Sequence, residues 1–394
     1  MTGATKILRL EYFGGVLFDR SRVSYRFLGK GEIELLRSSC DVKCREARFQ
    51  DAPGQVLSAP IRVYWEITRR CDKSCPQCFT ASGKSLETEL TLDDCLRVVE
   101  GLRKDNVLEI RITGGEPTTK KGWEQIVRRA MDCGMAVTLN THGSYGVAMR
   151  ERIAALKIDQ VIVSLDGPAL VHDSSRGPGS FDRVMGTIRY LFEKQVPVRV
   201  NTLLTRDVLP FLDHIVDLVD GIVVELCFMQ LKPIGRGGQL LVLMPTFQEI
   251  YRADQRIAKL RSQHPGLRIS TSYDIITEGR VMPAPDLDLT TCAAGMRGCN
   301  LDSQGDIYAC GFLEELGSQF KLGNMKAAGF SILGTWYGSE ELKRFRVKNL
   351  DRAQRCRSCG YHRNPCFGSC IVMDSYALTK SPTGTDPYCY RYES

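Results

Sequence analysis

Six times between Ile61 and Met229 a short run of β-branched and apolar residues recurs, with amphipathic helical patterns in between; no other feature restricts the fold of this 394-residue chain so tightly. The runs are IRVYWEIT, VLEIRIT, MAVTLNT, DQVIVSLDG, VPVRVNTLL and IVVELCFM. LDDCLRVVEGLRK, GWEQIVRRAMDCG and FDRVMGTIRYLFEK are among the helices, and PTFQEIYRADQRIAKLRS supplies a sixth after the last strand. Strand–helix units joined in this way form a parallel sheet with right-handed crossovers. Six of them suit an α/β architecture, a partial TIM-like (β/α)6 barrel whose chemistry belongs at the C-terminal ends of its strands. Before Ile61, Leu8–Leu17 and Arg22–Leu28 alternate as two strands around the turn FDRSR, and Gly31–Ser38 reads as a short helix. From about Asp286 the alternation fades into turn-rich, cysteine-rich sequence. Three segments are therefore expected: a small α+β element over 1–60, the barrel over 61–285 and a cysteine-rich segment over 286–394.

Sixteen cysteines are the anomaly in the composition. The first residues lack the apolar core of a secretory signal, and no run approaches the roughly 18 apolar residues of a membrane span. A soluble, cytoplasmic protein that engages no membrane is expected, and in that compartment clustered cysteines point to metal ligation or redox chemistry rather than disulfides. Three lie at Cys71, Cys75 and Cys78, and eight more fall between Cys292 and Cys389. The formal charge of +7 invites a nucleic-acid reading. Eleven ligating thiolates and three clusters of two positive charges each would reduce it to about +2. The basic residues are also scattered rather than massed, so no nucleic-acid partner is expected.

CDKSCPQC follows directly on the first barrel strand, with Cys71, Cys75 and Cys78 in one loop. Three thiolates at this spacing can hold three irons of a [4Fe–4S] cube and leave the fourth iron open. A structural zinc would want four closed ligands, and no fourth cysteine or histidine lies nearby until Cys95, in a helix. One strand later comes TGGEP, Thr113 to Pro117: glycines that permit close backbone approach and a proline that fixes the turn. Together the two segments resemble the radical S-adenosylmethionine (SAM) superfamily. That resemblance implies a cluster on Cys71, Cys75 and Cys78 that cleaves SAM to a 5′-deoxyadenosyl radical, with Gly114, Gly115, Glu116 and Pro117 around the SAM amino group. VSLDGP resembles the family's fourth-strand segment and implies that Ser164 and Asp166 face SAM. HDSSR implies that Arg176 pairs with the SAM carboxylate, and Asn201 is a further candidate. Two departures concern the adenine contact: Gln77 precedes the third cysteine where an aromatic or histidine is common, and His142 stands between Thr141 and Gly143 where the family has asparagine.

The final hundred residues carry Cys292, Cys299, Cys310, Cys356, Cys359, Cys366, Cys370 and Cys389, with Gly305 between Cys299 and Cys310. Zinc ribbons are the competing reading, but only one CxxC pair occurs among the eight. The pattern resembles the SPASM domain, an auxiliary-cluster module, with x6 where the family has x5 between Cys359 and Cys366. By that resemblance Cys292, Cys299, Cys310 and Cys370 hold one auxiliary [4Fe–4S] cluster, and Cys356, Cys359, Cys366 and Cys389 a second, three clusters in all. Two fully ligated clusters would serve as electron conduits, and an external donor such as flavodoxin or ferredoxin is implied. In sulfatase-maturing relatives a catalytic carboxylate follows the third cysteine of the first site; here that position is Gly311, with Asp306 the nearest substitute. Cys40, Cys44, Cys95, Cys133 and Cys227 read as ordinary packing, Cys227 alone being placed to face substrate. Glu225 and Gln230 could each point into the barrel. The four histidines other than His142 are assigned no role.

FGGVLFDRSRVSYRFLGKGEIELL resembles the start of the small winged domains that capture the leaders of precursor peptides by strand addition; the plain alternative is a β-ribbon that caps the barrel. Modification of a ribosomally made peptide, by cross-linking, oxidation or oxidative decarboxylation, is the leading expectation. A radical enzyme acting on a small metabolite, such as an antibiotic-sugar or tetrapyrrole intermediate, is the alternative. A non-catalytic iron–sulfur carrier would need neither GGEP nor an open iron.

Overall fold

The structure is a computed structural model and describes residues 5–37, 42–45, 56–271, 292–347, 370 and 373. The chain opens with β1 (Lys6–Glu11), β2 (Gly14–Asp19), β3 (Ser24–Gly29), α1 (Lys30–Arg37) and β4 (Val42–Arg45). They form a four-stranded sheet in the order β3-β2-β1-β4, with β4 parallel to β1. The sequence expectation of one strand over Leu8–Leu17 is corrected: Tyr12 and Phe13 make a turn, and Gly14 and Gly15 open a separate strand. Alternation sorts the faces. Leu8, Leu17 and Leu28 meet Ile33 of α1, whereas Ile7, Val16, Phe18, Tyr25 and Phe27 join the main core.

The barrel follows as β5 (Arg62–Glu66), α2 (Leu92–Lys104), β6 (Glu109–Thr113), α3 (Trp123–Asp132), β7 (Ala136–Thr141), α4 (Val147–Leu156) and β8 (Gln160–Ser164). It continues with α5 (Ala169–Arg176), α6 (Ser180–Glu193), β9 (Val198–Leu204), α7 (Leu212–Val219), β10 (Glu225–Gln230) and α8 (Phe247–Gln263). All six expected strands are present, and a seventh parallel strand, β11 (Arg268–Thr271), extends the sheet beyond β10. Capping boxes fix two helix starts, Thr91 with Asp94 on α2 and Thr246 with Glu249 on α8. Among the described residues no helix is long and apolar enough to cross a membrane.

The C-terminal segment contributes β12 (Gly298–Leu301), β13 (Asp306–Tyr308), β14 (Lys321–Asn324) and α9 (Leu333–Gly338). Strand β12 pairs in parallel with β5, so this hairpin region continues the barrel sheet at its other edge. The turn between β12 and β13 ends on Gly305, whose φ of +83° is left-handed, as a tight return requires.

Strand parity divides the barrel cleanly. Val63, Trp65, Ile110, Ile112, Val137, Leu139, Val161 and Phe228 belong to the apolar core. Arg62, Tyr64, Glu109, Arg111, Thr138, Arg199 and Glu225 have the opposite parity and meet one another inside. Arg62 is paired with Glu109 and bonded to Tyr64, Arg111 is bonded to Glu109 and Thr138, and Arg199 lies 3.4 Å from Glu225. Glu225 therefore does point inward, and Gln230 has the other parity. Higher on the same inner faces stand Glu66 opposite Thr113, and Ser164, Asn201, Cys227 and Ser270 in one row.

The N-terminal sheet sits at the N-terminal ends of the barrel strands. Fully buried Arg9 donates to the carbonyls of Ala59, Pro60 and Asn106, at 2.9–3.0 Å, and pairs with Glu11. Arg20 grips Asp159 ahead of β8, and Arg45 reaches the carbonyls of Val107 and Gly134 ahead of β6 and β7.

Candidate radical-generating site

The loop after β5 carries the three cysteines and is tied down at both ends. The N–H of Cys71 donates to the Gly83 carbonyl and that of Gly83 to the Arg69 carbonyl, which closes the loop. Its sulfurs already make weak bonds: Cys71 accepts from the Lys73 N–H at 3.4 Å, and Cys78 shares a hydrogen bond with Thr80 Oγ1 at 3.4 Å. Burial pushes the Cys71 thiol up to about 11, with Glu116, Asp72 and Cys75 adding to the rise, and burial raises Cys75 against the pull of Arg176. Three sulfurs on one loop, two of them raised by burial and by a neighbour's charge, become stable thiolates only beside a compensating cation, which bound iron would supply. The donor set thus fits an iron–sulfur cluster.

Gly114 and Gly115 hold the end of β6 against this loop. A Cβ on Gly114 would lie 2.4 Å from the Thr68 carbonyl oxygen, and one on Gly115 2.4 Å from that of Arg70. The φ of Gly114, +144°, is also outside the range of ordinary residues. The carboxylate of Glu116 is a hub rather than a free ligand. It accepts from the Thr118 N–H and hydroxyl, from Tyr145 at 2.6 Å, from Thr141 at 2.8 Å and from the His142 N–H at 3.0 Å. Burial, then Glu116 itself, raises Tyr145 well above the ordinary phenol, which keeps the donating proton in place. The unusual His142 bonds Asp72 at 2.9 Å through Nε2, while Nδ1 accepts from the Ser144 N–H. It is therefore used as a strut between the third strand end and the cysteine loop.

Asp166 gathers the other side. Its carboxylate accepts from Arg176 Nε at 2.6 Å, from Gln77 at 3.1 Å and from the Leu203 N–H at 2.9 Å. Arg176 is the last residue of α5, and the charges of Cys75 and Cys78 act on it. Gln77 thus buttresses Asp166. His172, set aside in the sequence reading, is fully buried and accepts from the Asp166 N–H; burial pushes its imidazole down to about 4.

Arg236 was also missed, 158 residues beyond Cys78. Its Nε donates to the Cys75 carbonyl at 2.9 Å, its Nη1 to that of Ser82 at 2.8 Å, and its N–H to that of Cys78. The only sequence signal was the turn-rich run PIGRGG after the sixth strand. Arg236→Ala should cost the loop roughly 3 kcal/mol, two charged hydrogen bonds. The measurement is hydrogen exchange over 71–83 together with iron retention during gel filtration; wild-type protection and iron content would refute the role.

The C-terminal segment meets the same loop. Arg69 pairs with Glu314 and Glu315, and Phe79 packs edge-on against Phe312 with centroids 4.7 Å apart. Gly311 carries no carboxylate, and a Cβ there would lie 2.7 Å from Asn300 Oδ1, a side-chain end that would have to turn aside. Asp306 does not replace one: it pairs with Lys321 and accepts from Asn324 within the hairpin. The charges of Cys292 and Cys370 act on Cys310, whose thiol burial raises to about 12. Cys299 stands apart from them, fully buried on β12 in register with Val63, with Arg346 the charge that acts on it. Cys356, Cys359, Cys366 and Cys389 lie outside the described residues.

Burial raises Asp302 to about 6, although the N–H groups of Gln304 and Asp306 donate to it. A carboxyl whose folded pKa exceeds its unfolded value of 3.8 adds stability below that value and loses it as pH rises through about 6. The full loss is roughly 3 kcal/mol. Asp302→Asn should therefore flatten the fall in melting temperature of the iron-loaded protein between about pH 4 and pH 6; an unchanged slope would exclude Asp302 as its source.

A parallel barrel that presents three thiols in one loop at a strand end, against a glycine turn at the next, has the arrangement of an iron–sulfur enzyme of the SAM-cleaving class. The chain matches the Radical SAM superfamily model over residues 65–218 and the SPASM model, an iron-sulfur cluster-binding domain, over residues 292–360. It is 30% identical to mycofactocin maturase MftC of Mycolicibacterium smegmatis over 340 residues, 84% of this chain and 83% of that protein. It is 27% identical to an AdoMet-dependent heme synthase of Methanosarcina barkeri, over 85% of this chain and 97% of that one. The fold is that of Streptococcus suis SuiB bound to the precursor peptide SuiA, with a TM-score of 0.73 at 17% identity over 99% of this chain and 98% of that one. The chain belongs to the radical SAM superfamily and carries a SPASM domain.

Proposed function

We propose that this enzyme is a peptide maturase, which abstracts hydrogen from a ribosomally made precursor peptide and leaves it cross-linked, oxidised or oxidatively decarboxylated. The observation that carries the reading is the 30% identity to a mycofactocin maturase across both the barrel and the SPASM segment. The N-terminal sheet supports it. Among the described residues β3 pairs only with β2, so its outer edge offers a place for an added strand, flanked by Arg22, Arg26 and Lys30.

In this reading Cys71, Cys75 and Cys78 would hold an open-iron [4Fe–4S] cluster, with SAM bound beside it. When bound, the pair supplies a 5′-deoxyadenosyl radical. The chain's part is to hold it. The backbone of Gly114–Pro117 receives the SAM amino group, with Glu116 locking that turn from behind. Arg176, steered by Asp166, meets the SAM carboxylate, and Ser164 and Asn201 line the inner wall. Two auxiliary clusters bring the total to three, the first on Cys292, Cys299, Cys310 and Cys370, the second on Cys356, Cys359, Cys366 and Cys389. Cys299 is the member that the fold leaves apart; iron counting on Cys299→Ala decides its part, since a ligand's loss removes about four irons and a packing residue's removes none. An external one-electron donor of the flavodoxin or ferredoxin kind would supply the electron to the cluster on Cys71, Cys75 and Cys78. The segments 1–60, 61–285 and 286–394 then act as peptide capture, radical generation and electron relay.

The test is anaerobic. Reconstituted, reduced enzyme is incubated with SAM and the short peptide encoded nearest its gene, and products are read by high-resolution mass spectrometry. Peptide that loses hydrogen or carbon dioxide, in step with 5′-deoxyadenosine, is the expected result. 5′-Deoxyadenosine with unchanged peptide would overturn the peptide assignment and favour a small metabolite such as a tetrapyrrole, as the heme synthase likeness would then suggest.

A further inference from the structure

The polar interior of the barrel holds more positive charge than it neutralises. Arg62, Arg111 and Arg199 are each less than a tenth exposed, and among the described residues two carboxylates, Glu109 and Glu225, answer them. Glu109 is divided between Arg62 and Arg111. Glu225 lies 3.4 Å from Arg199, accepts from the Ser270 hydroxyl at 2.6 Å and also feels the charge of Arg268. Glu66, higher on the wall, faces Arg69 instead, at 3.8 Å. The excess shows in the neighbours. Burial, then Arg62, lowers Arg111; against burial, Arg62 and Arg111 pull the Tyr64 phenol below its ordinary value. A buried cation without a counter-charge is costly until an anion joins it.

Arg199 is the member of this layer that can be met from above. It lies two residues below Asn201 on β9, about 7 Å along the strand, and its Nε donates to Asn201 Oδ1 at 2.9 Å. The side chain therefore rises towards the row of Ser164, Asn201 and Cys227, and the charges of Cys227 and Glu225 act on it. The space above is open. Tyr64, Thr113, Asn140, Ser164 and Asn201 lie on the inner faces, yet each is only half-buried. Arg111 stands behind, close enough for the charge of Arg199 to act on it.

We propose that Arg199, backed by Arg111, is an anion seat at the floor of this space and receives a carboxylate of the substrate. The seat follows from the arginines. Its ligand rests on the maturase reading and is then the peptide's C-terminal carboxylate or an acidic side chain. A guanidinium offers a carboxylate parallel N–H donors and a full opposite charge, whereas a neutral amide would leave the excess unanswered. No bond is made or broken at the seat. Its work is positional: a carboxylate held on the floor fixes which substrate atoms stand level with Ser164 and Asn201, and so which hydrogen meets the radical.

The experiment uses the reconstituted enzyme and the short peptide encoded nearest its gene in three forms: unchanged, as the C-terminal carboxamide, and with its acidic side chains replaced by their amides. Kd is measured by titration calorimetry and modification by mass spectrometry, for wild type, Arg199→Gln and Arg199→Lys. One neutralised form should bind wild type roughly tenfold more weakly or worse. Loss with the carboxamide assigns the C-terminus to the seat; loss with the side-chain amides assigns an acidic residue. Arg199→Gln should bind the unchanged peptide as weakly as wild type binds that neutralised form, and lose nothing more on it, while Arg199→Lys recovers part of the affinity. A merely structural arginine would not produce that non-additivity. If Arg199→Gln does not fold, the three peptides on wild type and on Arg199→Lys decide the matter. Equal binding and modification of all three forms by wild type would overturn the seat and leave the maturase reading standing, as would losses that simply add in Arg199→Gln. A wild type that modifies no form would overturn the maturase reading, and the assignment of this ligand with it.

Discussion

Changing Cys75 to alanine should abolish 5′-deoxyadenosine formation while leaving the fold and the SPASM iron in place. Cys75 lies at the centre of the loop, with Arg176 acting on its sulfur and Arg236 held by its carbonyl. Its backbone role survives the substitution, so what is lost is one of three thiolates. With two sulfurs the open-iron cluster is not retained, and about four of about twelve irons should disappear. Iron and sulfide analysis alongside product assay checks both halves. Full iron with full SAM cleavage would mean that the site lies elsewhere; loss of all iron would mean that the loop organises the whole molecule rather than one cluster.

Glu116→Gln should be the most damaging change that removes no atom from the site. The carboxylate fills its acceptor positions with Thr118, Tyr145, Thr141 and the His142 N–H. An amide turns one acceptor into a donor, so at least two buried donors lose their partner, at about 1–3 kcal/mol each. The ends of β6 and β7 then come apart where Gly114 must stay against Thr68. A melting temperature lowered by several degrees and SAM affinity weakened at least tenfold are expected, by calorimetry and equilibrium dialysis. A variant with wild-type stability and affinity would show that the hub is dispensable.

Much of this was readable along the chain, because the signals are local. Each barrel strand is a short β-branched run, and the three cysteines fall within eight residues and the glycine turn within five, each directly after a strand. What escaped depends on distance. Strand β11 is only four residues, Arg268–Thr271, and owes its place to pairing with β10. Strand β12 reads as a turn-rich segment until β5 completes it. The N-terminal sheet is covered on both faces, so the alternation that marks a half-buried strand is blurred, and the turn at Tyr12 and Phe13 was read through. Arg236, His172 and Arg69 act on partners that the sequence places elsewhere, and a lone arginine or histidine gives no sign of that.

Inside the barrel the charged layer of Arg62, Glu109, Arg111, Arg199 and Glu225 is buried and mutually paired. It acts as a plug below the row of Glu66, Thr113, Ser164 and Asn201, and the N-terminal sheet seals the same end from outside through Arg9, Arg20 and Arg45. Among the described residues the barrel is therefore closed at the N-terminal ends of its strands. A long substrate is not threaded through that end; it comes to the cysteine loop from the other, by a terminus or a bent loop, and withdraws on the same side.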